Sequence, residues 1–229
     1  MSGADRDRMH ELVPGVKIFY QYGLTEAGVI VTVLKEEDYA KAPDSIGRAF
    51  VNFEVKVVRE DLSDADIGES GEILVRGPSV MDSYFERPEA TAEVFHEGWL
   101  RTGDMGALDV NQYLHFHDRL KDMVKTGGLN VYSQEVEREL QKHPSVREVG
   151  VIGLPSDRWG EEVVAVVVIR DGATASADDL IAFAKQKLAS YKAPKRVVFI
   201  DYAEMPINYS GKIIKRELRI KIAARLDQS

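Results

Sequence analysis

Hydrophobic and polar positions change their rhythm once along this chain, and the change falls at Asp118–Asn130. Upstream, apolar residues come in short runs broken by turn formers, the pattern of strands with one wet face. Pro14-Gly15 marks a turn. Val16–Tyr20 then reads as a short strand, Gln21–Gly28 as a loop, Val29–Leu34 as a second apolar segment and Lys35–Asp44 as a polar connection. Phe53–Val58 and Gly71–Arg76 read as strands on either side of an acidic loop, Asp61–Ser70. Pro88–Val94 looks like one short helix. Trp99–Asp104 looks like a strand ending in a Gly-Asp turn, and Ala107–Asp109 and Tyr113–Phe116 flank Val110-Asn111-Gln112 as a hairpin. Residues 1–10 look like a frayed helix end.

Downstream the period lengthens. Asp118–Asn130 is a charged run closing on Thr126-Gly127-Gly128, which reads as a linker ending in a tight loop. Ser133 is placed to N-cap a helix of about three turns, with Val136 and Leu140 on its apolar face and His143-Pro144 at its end. Val146–Leu154 is a strand. Val163–Ile169 is an unbroken β-branched run, as expected of a strand covered on both faces. Asp171-Gly172 turns the chain, Ser176 with Asp179 resembles a capping box, and Leu180, Phe183, Ala184 and Leu188 form a helical stripe. Arg196–Ile200 is a further strand. A last helix starts near Ile213 and carries Ile214, Leu218, Ile222 and Leu226. The order predicts an α+β architecture, with a small α+β domain over 118–229.

Composition narrows the classes. At 229 residues, 44% hydrophobic and 30% charged, the chain can bury a core in one large domain or two small ones. A net charge of -8 argues against non-specific nucleic-acid binding. Cysteine is absent, so no disulfide framework and no thiolate zinc site are expected, in keeping with a reducing, cytoplasmic setting. No signal peptide is visible in Met1–His10, and no apolar run is long enough to span a bilayer.

Three short stretches could carry chemistry. In Tyr22-Gly23-Leu24-Thr25-Glu26 a glycine allows a sharp turn, and a hydroxyl and a carboxylate follow it. Such a pair suits a phosphate oxygen and a Mg²⁺ ion; the plainer reading is a polar turn. Asp104 could accept hydrogen bonds from both hydroxyls of a ribose, or simply cap its own backbone. Tyr209-Ser210-Gly211-Lys212 places one lysine in a loop before a helix, which suits an incoming anion; a lone Gly-Lys is more often a solvated turn. The five histidines show no metal-protease spacing, and His115 and His117 share a strand face as a metal pair or, more simply, as satisfied side chains. No serine or cysteine nucleophile is apparent.

Taken in order, Tyr22–Glu26, Gly71–Pro78, Trp99–Asp104, Asp118–Asn130 and Ser210–Lys212 resemble the C-terminal motifs of AMP-forming acid–CoA ligases of the adenylate-forming superfamily. The wording Lys125–Ser133 is most similar to fatty-acyl and aryl CoA ligases. The resemblance runs from about Pro14 onward. It implies the tail of a large adenylating domain (1–45), a β-barrel-like subdomain (46–117) and a small mobile α+β domain (118–229). It also implies residue roles. Tyr22 would lie beside adenine, Thr25 would contact ATP phosphate, and Glu26 would help hold Mg²⁺. Asp104 would bind the ribose hydroxyls, Arg119 would support the ribose and phosphate side, and Lys121 would be the hinge. Gly127 and Gly128 would line the pantetheine channel of coenzyme A, and Lys212 would be the mobile lysine of adenylation. ATP, Mg²⁺, coenzyme A and a small carboxylic acid are the implied ligands.

Two departures stand out. The family's Ser/Thr/Gly-rich phosphate loop has no counterpart before Tyr22, so the chain is expected to be the last part of a ligase and inactive alone. Pro206-Ile207 stands where the family has Pro-Arg before Asn208. The rival readings are an adenylate-former that loads a carrier protein, a luciferase-like oxidase, and a non-catalytic nucleotide- or CoA-binding fragment. With its parent sheet missing, 1–45 is expected to pack poorly, exposing Val29, Ile30 and Val31 or pairing them with a second copy as a homodimer.

Overall fold

The computed structural model describes residues 3–209 and 211–226, with side chains from Arg6 onward. The chain forms two units, Met1–His117 and Asp118–Ser229.

The first unit opens with helix α1 (Gly3–Leu12). Its Arg6 is buried, lies 3.9 Å from the centre of the Tyr39 ring and forms an ion pair with Glu36. Strands β1 (Tyr20–Tyr22), β2 (Thr32–Leu34) and β3 (Arg48–Ala49) make a small antiparallel sheet. The first strand lies later than its residues alone suggest. Val16–Phe19 stays unpaired because the register is set by β2, with Tyr20 opposite Leu34 and Tyr22 opposite Thr32, while the Ile18 N–H donates to Glu36 at 2.8 Å.

A second sheet joins β4 (Glu54–Val58), β5 (Gly71–Arg76), β6 (Phe95–His96), β7 (Trp99–Leu108) and β8 (Leu114–Arg119), with α2 (Pro88–Val94) before β6. Its core gathers Val57, Ile73, Val75, Leu100 and Leu114 with Ala27 and Val31 from the first segment. The expectation of a poorly packed 1–45 is therefore corrected at Val31 and holds at Val29, and Met9, Leu12, Val13 and Phe19 of the same segment are also exposed. Val31 is fully buried and Ile30 half-buried, and only Val29 of the three is exposed. The second sheet supplies the apolar surface that the segment covers.

Trp99–Asp104 is also corrected. It does not end a strand; β7 runs on to Leu108 through a bulge at which the register with β5 shifts between Glu72 and Leu74. Gly103 sits at φ +68°, where glycine carries no steric penalty.

The second unit takes over within β8. After β9 (Val124–Thr126) and β10 (Leu129–Val131) come α3 (Ser133–Leu140), β11 (Val146–Ser156), β12 (Gly160–Ile169), α4 (Ala177–Lys187), β13 (Arg196–Phe199) and α5 (Lys215–Leu226). The sheet runs β10-β9-β12-β11, and β13 lies parallel to β12. Alternation along β12 explains both cores. Val163, Ala165 and Val167 pack with Val136, Leu140, Leu180 and Ala184 of α3 and α4, whereas Val164, Val166 and Val168 pack with Leu218 and Ile222 of α5. A strand buried on both faces tolerates few polar residues, hence the unbroken β-branched run. The capping box of Ser176 and Asp179 opens α4 as expected.

Ser133 does not cap α3. Tyr132 holds the N-cap position without a side-chain bond, and Ser133 is the first helical residue. The cap is non-local: the fully buried Asp118 carboxylate accepts from the Ser133 hydroxyl at 2.5 Å and from the Gln134 N–H at 3.3 Å. A carboxylate at a helix N-terminus satisfies an orphan donor and meets the positive end of the dipole, so it displaces the local serine. The helix is eight residues long, shorter than three turns.

Candidate nucleotide and acyl-transfer sites

In the first unit the fold joins two stretches far apart in sequence. The Tyr22 hydroxyl donates to Asp104 Oδ2 at 2.8 Å. Tyr22 is half-buried and packs at a tilt on Phe116, their ring centres 6.2 Å apart. Asp104 is buried and is held by the bulge: its N–H donates to the Thr102 hydroxyl, which in turn donates to the Ile73 carbonyl. Glu72, also buried, props the same bulge. One oxygen takes Arg101 at 3.0 and 2.7 Å, and the other accepts the Gly103 N–H at 3.2 Å. An aromatic face beside a fixed carboxylate is a donor set that fits a nucleoside, the ring for a base and the carboxylate for sugar hydroxyls.

The loop after Tyr22 is tightly folded. A Cβ on Gly23 would lie 1.6 Å from the Val29 carbonyl oxygen, so only glycine fits. Val29 is held at φ +86°, a rare conformation for a β-branched residue. Backbone bonds from Val31 to Tyr22, from Val29 to Leu24 and from Met81 to Glu26 close the loop. Thr25 and Glu26 form the first turn of a short 3-10 helix, with Thr25 exposed and Glu26 half-buried. Glu26 Oε1 accepts from the Tyr84 hydroxyl at 2.8 Å. Burial first, and the Glu26 carboxylate second, hold the Tyr84 phenol above its ordinary ionisation range, so it remains a donor. No group of three or more His, Cys, Asp or Glu suited to a metal occurs among the described residues. A Mg²⁺ ion at Glu26 would therefore draw its other oxygens from phosphate and water, which suits an ion carried by a nucleotide.

In the second unit β9 and β10 form a hairpin turned by two glycines, Gly127 at φ +58° and Gly128 at φ +78°. Positive φ at both positions is the turn that matches strand twist. The hairpin leans on Trp159. The Gly127 N–H donates to the Trp159 carbonyl at 2.8 Å, and a Cβ on Gly127 would come within 3.2 Å of the indole. Arg158 and Lys195 flank that partly exposed ring at 4.7 and 5.8 Å.

Lys212 is exposed in the loop before α5. Its backbone is fixed by reciprocal bonds with Asn208, the Lys212 N–H to Asn208 Oδ1 and the Asn208 N–H to the Lys212 carbonyl, both 2.9 Å. Its ammonium has no ion pair or hydrogen bond among the described residues. Ser210 lies outside the described residues. Arg119 ends β8 with its N–H donating to Asp118, and Lys121 is exposed in the short 3-10 turn Leu120–Asp122. Tyr84 and Trp159 lie outside the motifs, and Glu72 and Asp118 lie within them without an assigned role. Each reaches its partner across a gap in sequence that no spacing rule links.

Residues 1–85 match the family described as AMP-binding enzyme, and residues 135–212 match the AMP-binding enzyme C-terminal domain. A feruloyl-CoA synthase from an Amycolatopsis species is 44% identical over 205 residues, 90% of this chain and 41% of the relative. The o-succinylbenzoate CoA synthetase of Bacillus subtilis, solved with its acyl-adenylate intermediate, superposes with a TM-score of 0.84 at 36% identity, over 93% of this chain and 43% of that one. The same enzyme solved with ATP and magnesium gives a TM-score of 0.84 at 34% identity, over 95% and 44%. The chain spans about two fifths of the length of the relatives it matches.

Proposed function

The chain belongs to the AMP-binding enzyme family, and on that premise we propose that it is the C-terminal region of an ATP-dependent acid–CoA ligase. The reaction joins a carboxylate to AMP with release of pyrophosphate, then passes the acyl group to the thiol of coenzyme A with release of AMP. The observation that carries this reading is the Tyr22–Asp104 pair, a base-sized aromatic face and a buried carboxylate brought into hydrogen-bond contact from 82 residues apart.

Each residue then has a task its surroundings support. Tyr22 offers its ring to adenine and Asp104 accepts from the ribose hydroxyls. Thr25, exposed on the strained loop, donates to a phosphate oxygen. Glu26, oriented by Tyr84, would hold Mg²⁺, which would neutralise phosphate charge. Arg119 supports the ribose and phosphate side. Carboxylate attack on the α-phosphate brings two anions together, and the ammonium of Lys212 stabilises the charge that builds between them. The second step calls for a different face. The Gly127-Gly128 turn has no side chains to obstruct a pantetheine arm, and the Trp159 indole with Arg158 and Lys195 suits the anionic, aromatic end of coenzyme A. Reorientation about Lys121 presents the two faces in turn. Exchange of pyrophosphate into ATP with added carboxylic acids, followed by AMP release on adding coenzyme A, tests the reading. Exchange with no CoA-dependent AMP release would favour a carrier-protein acceptor.

A further inference from the structure

A buried polar cluster in the second unit joins two residues of the motif stretches, Asp118 and Ser133, to two that lie outside them, Glu137 and Lys215. Lys215, in the first turn of α5, has a side chain only 10% exposed. Its ammonium donates to the Ser133 hydroxyl at 2.5 Å and pairs with Glu137 Oε1 at 2.8 Å. Ser133 passes the chain on to Asp118, and Glu137 Oε1 also accepts the Val151 N–H at 2.7 Å from the middle of β11. Burial holds the Glu137 carboxyl above its ordinary range, and Lys215 is the main opposing influence. One ammonium thus ties α5 to α3, to the central sheet and to the first residue of the unit.

We propose that Lys215 is a positioning residue for adenylation, acting through Lys212; this rests on the ligase reading above. Only Ile213 and Ile214 separate the two lysines. Ile213 bridges to Ile207, and the Ile214 N–H donates to Pro206 at 2.8 Å, so the loop that presents Lys212 is a short ribbon rooted where Lys215 is clamped. Beyond the ribbon, the Lys212 side chain has no partner of its own among the described residues. Its direction therefore depends on the root. The same clamp reaches Asp118, three residues before Lys121, so the ribbon and the start of the unit move as one piece.

The test uses Lys215→Met combined with Glu137→Gln, a pair that removes both charges of the ion pair together, leaves Asp118 its bonds from Ser133, Gln134 and Arg119, and lets the new amide oxygen still accept the Val151 N–H. In the full-length enzyme, pyrophosphate exchange should fall about a hundredfold, the loss expected when a reacting group is displaced by about an ångström. Thioester formation from preformed acyl-adenylate should stay within about twofold of wild type, since Lys212 is not used there. In the 229-residue chain, amide exchange at Lys212 and Ile214 should rise about tenfold or more while Val164–Val167 keeps its protection. Unchanged adenylation, equal loss of both steps, or uniform loss of protection would each overturn the proposal. Lys212→Ala runs alongside. If it leaves adenylation intact, the ligase role of the loop fails, and the exchange data alone then decide whether Lys215 holds the ribbon.

Discussion

Replacing each glycine of the β9–β10 turn separately probes both the fold and the acceptor role of the hairpin. Gly127 and Gly128 both hold positive φ, where an alanine costs about 1–2 kcal/mol. They differ in what a new methyl meets. At Gly128 it points into open space, while at Gly127 it comes within 3.2 Å of Trp159. Gly128→Ala should therefore lower the stability of the second unit by about 1–2 kcal/mol, and Gly128→Asn by less, because asparagine visits this region readily. Gly127→Ala should cost at least as much as Gly128→Ala and should also displace the indole. Urea unfolding followed by Trp159 fluorescence, in a Trp99→Phe background, reads both effects. In the full-length enzyme either alanine should slow thioester formation from preformed adenylate more than it slows pyrophosphate exchange. If alanine and asparagine at 128 match wild-type stability, the left-handed turn is not formed. If stability falls as stated and both half-reactions fall equally, the hairpin does not line the acceptor path.

Asp104→Asn keeps an acceptor for Tyr22 but removes a charge, so AMP affinity measured by calorimetry on the full-length enzyme should fall by about 1.5–3 kcal/mol with little loss of stability; unaltered affinity would place the ribose elsewhere. Lys121→Pro fixes one backbone angle at the proposed hinge and should depress one half-reaction far more than the other; equal loss with the fold retained would move the hinge. Ser176 holds the Asp179 carboxyl below its ordinary value of 3.8, so the support it gives α4 is complete above that value and is lost as pH falls through the depressed folded-state value. Amide exchange at the start of α4 should show this loss in acid, and Asp179→Asn should abolish the pH dependence.

How far these features were legible depends on how local their causes are. The α4 capping box, the α2 helix after Pro88 and the doubly buried β12 are set by residues within a few positions of one another, and each was readable. Where the cause is long-range, local signals misled. Ser133 has the chemistry of an N-cap, yet a buried carboxylate 15 residues earlier caps the helix instead. Gly103-Asp104 has the look of a turn, but pairing to β5 carries the strand through it, and Glu72 stabilises the bulge by accepting the Gly103 N–H. Val31 looked like an orphan only because its cover, Val57, Ile73 and Val75, comes from later strands. Tyr22 and Asp104 were each legible as candidates; their contact was not, because no spacing rule spans 82 residues.

Whether the protein activates a carboxylate as an adenylate before transferring it to coenzyme A is decided at Lys212. Its ammonium has no partner among the described residues, stands on a rooted ribbon and belongs to no apolar stripe, so Lys212→Ala should leave the fold intact. The quantity to measure is the ratio of two rates in the full-length enzyme: pyrophosphate exchange, and thioester formation from supplied acyl-adenylate. The substitution should lower exchange by about two to three orders of magnitude, as loss of a preorganised charge does, and leave thioester formation near wild type. Acetylation of Lys212 should act like the alanine, since it removes the same charge. Wild-type exchange in the folded Lys212→Ala enzyme would contradict the adenylation role.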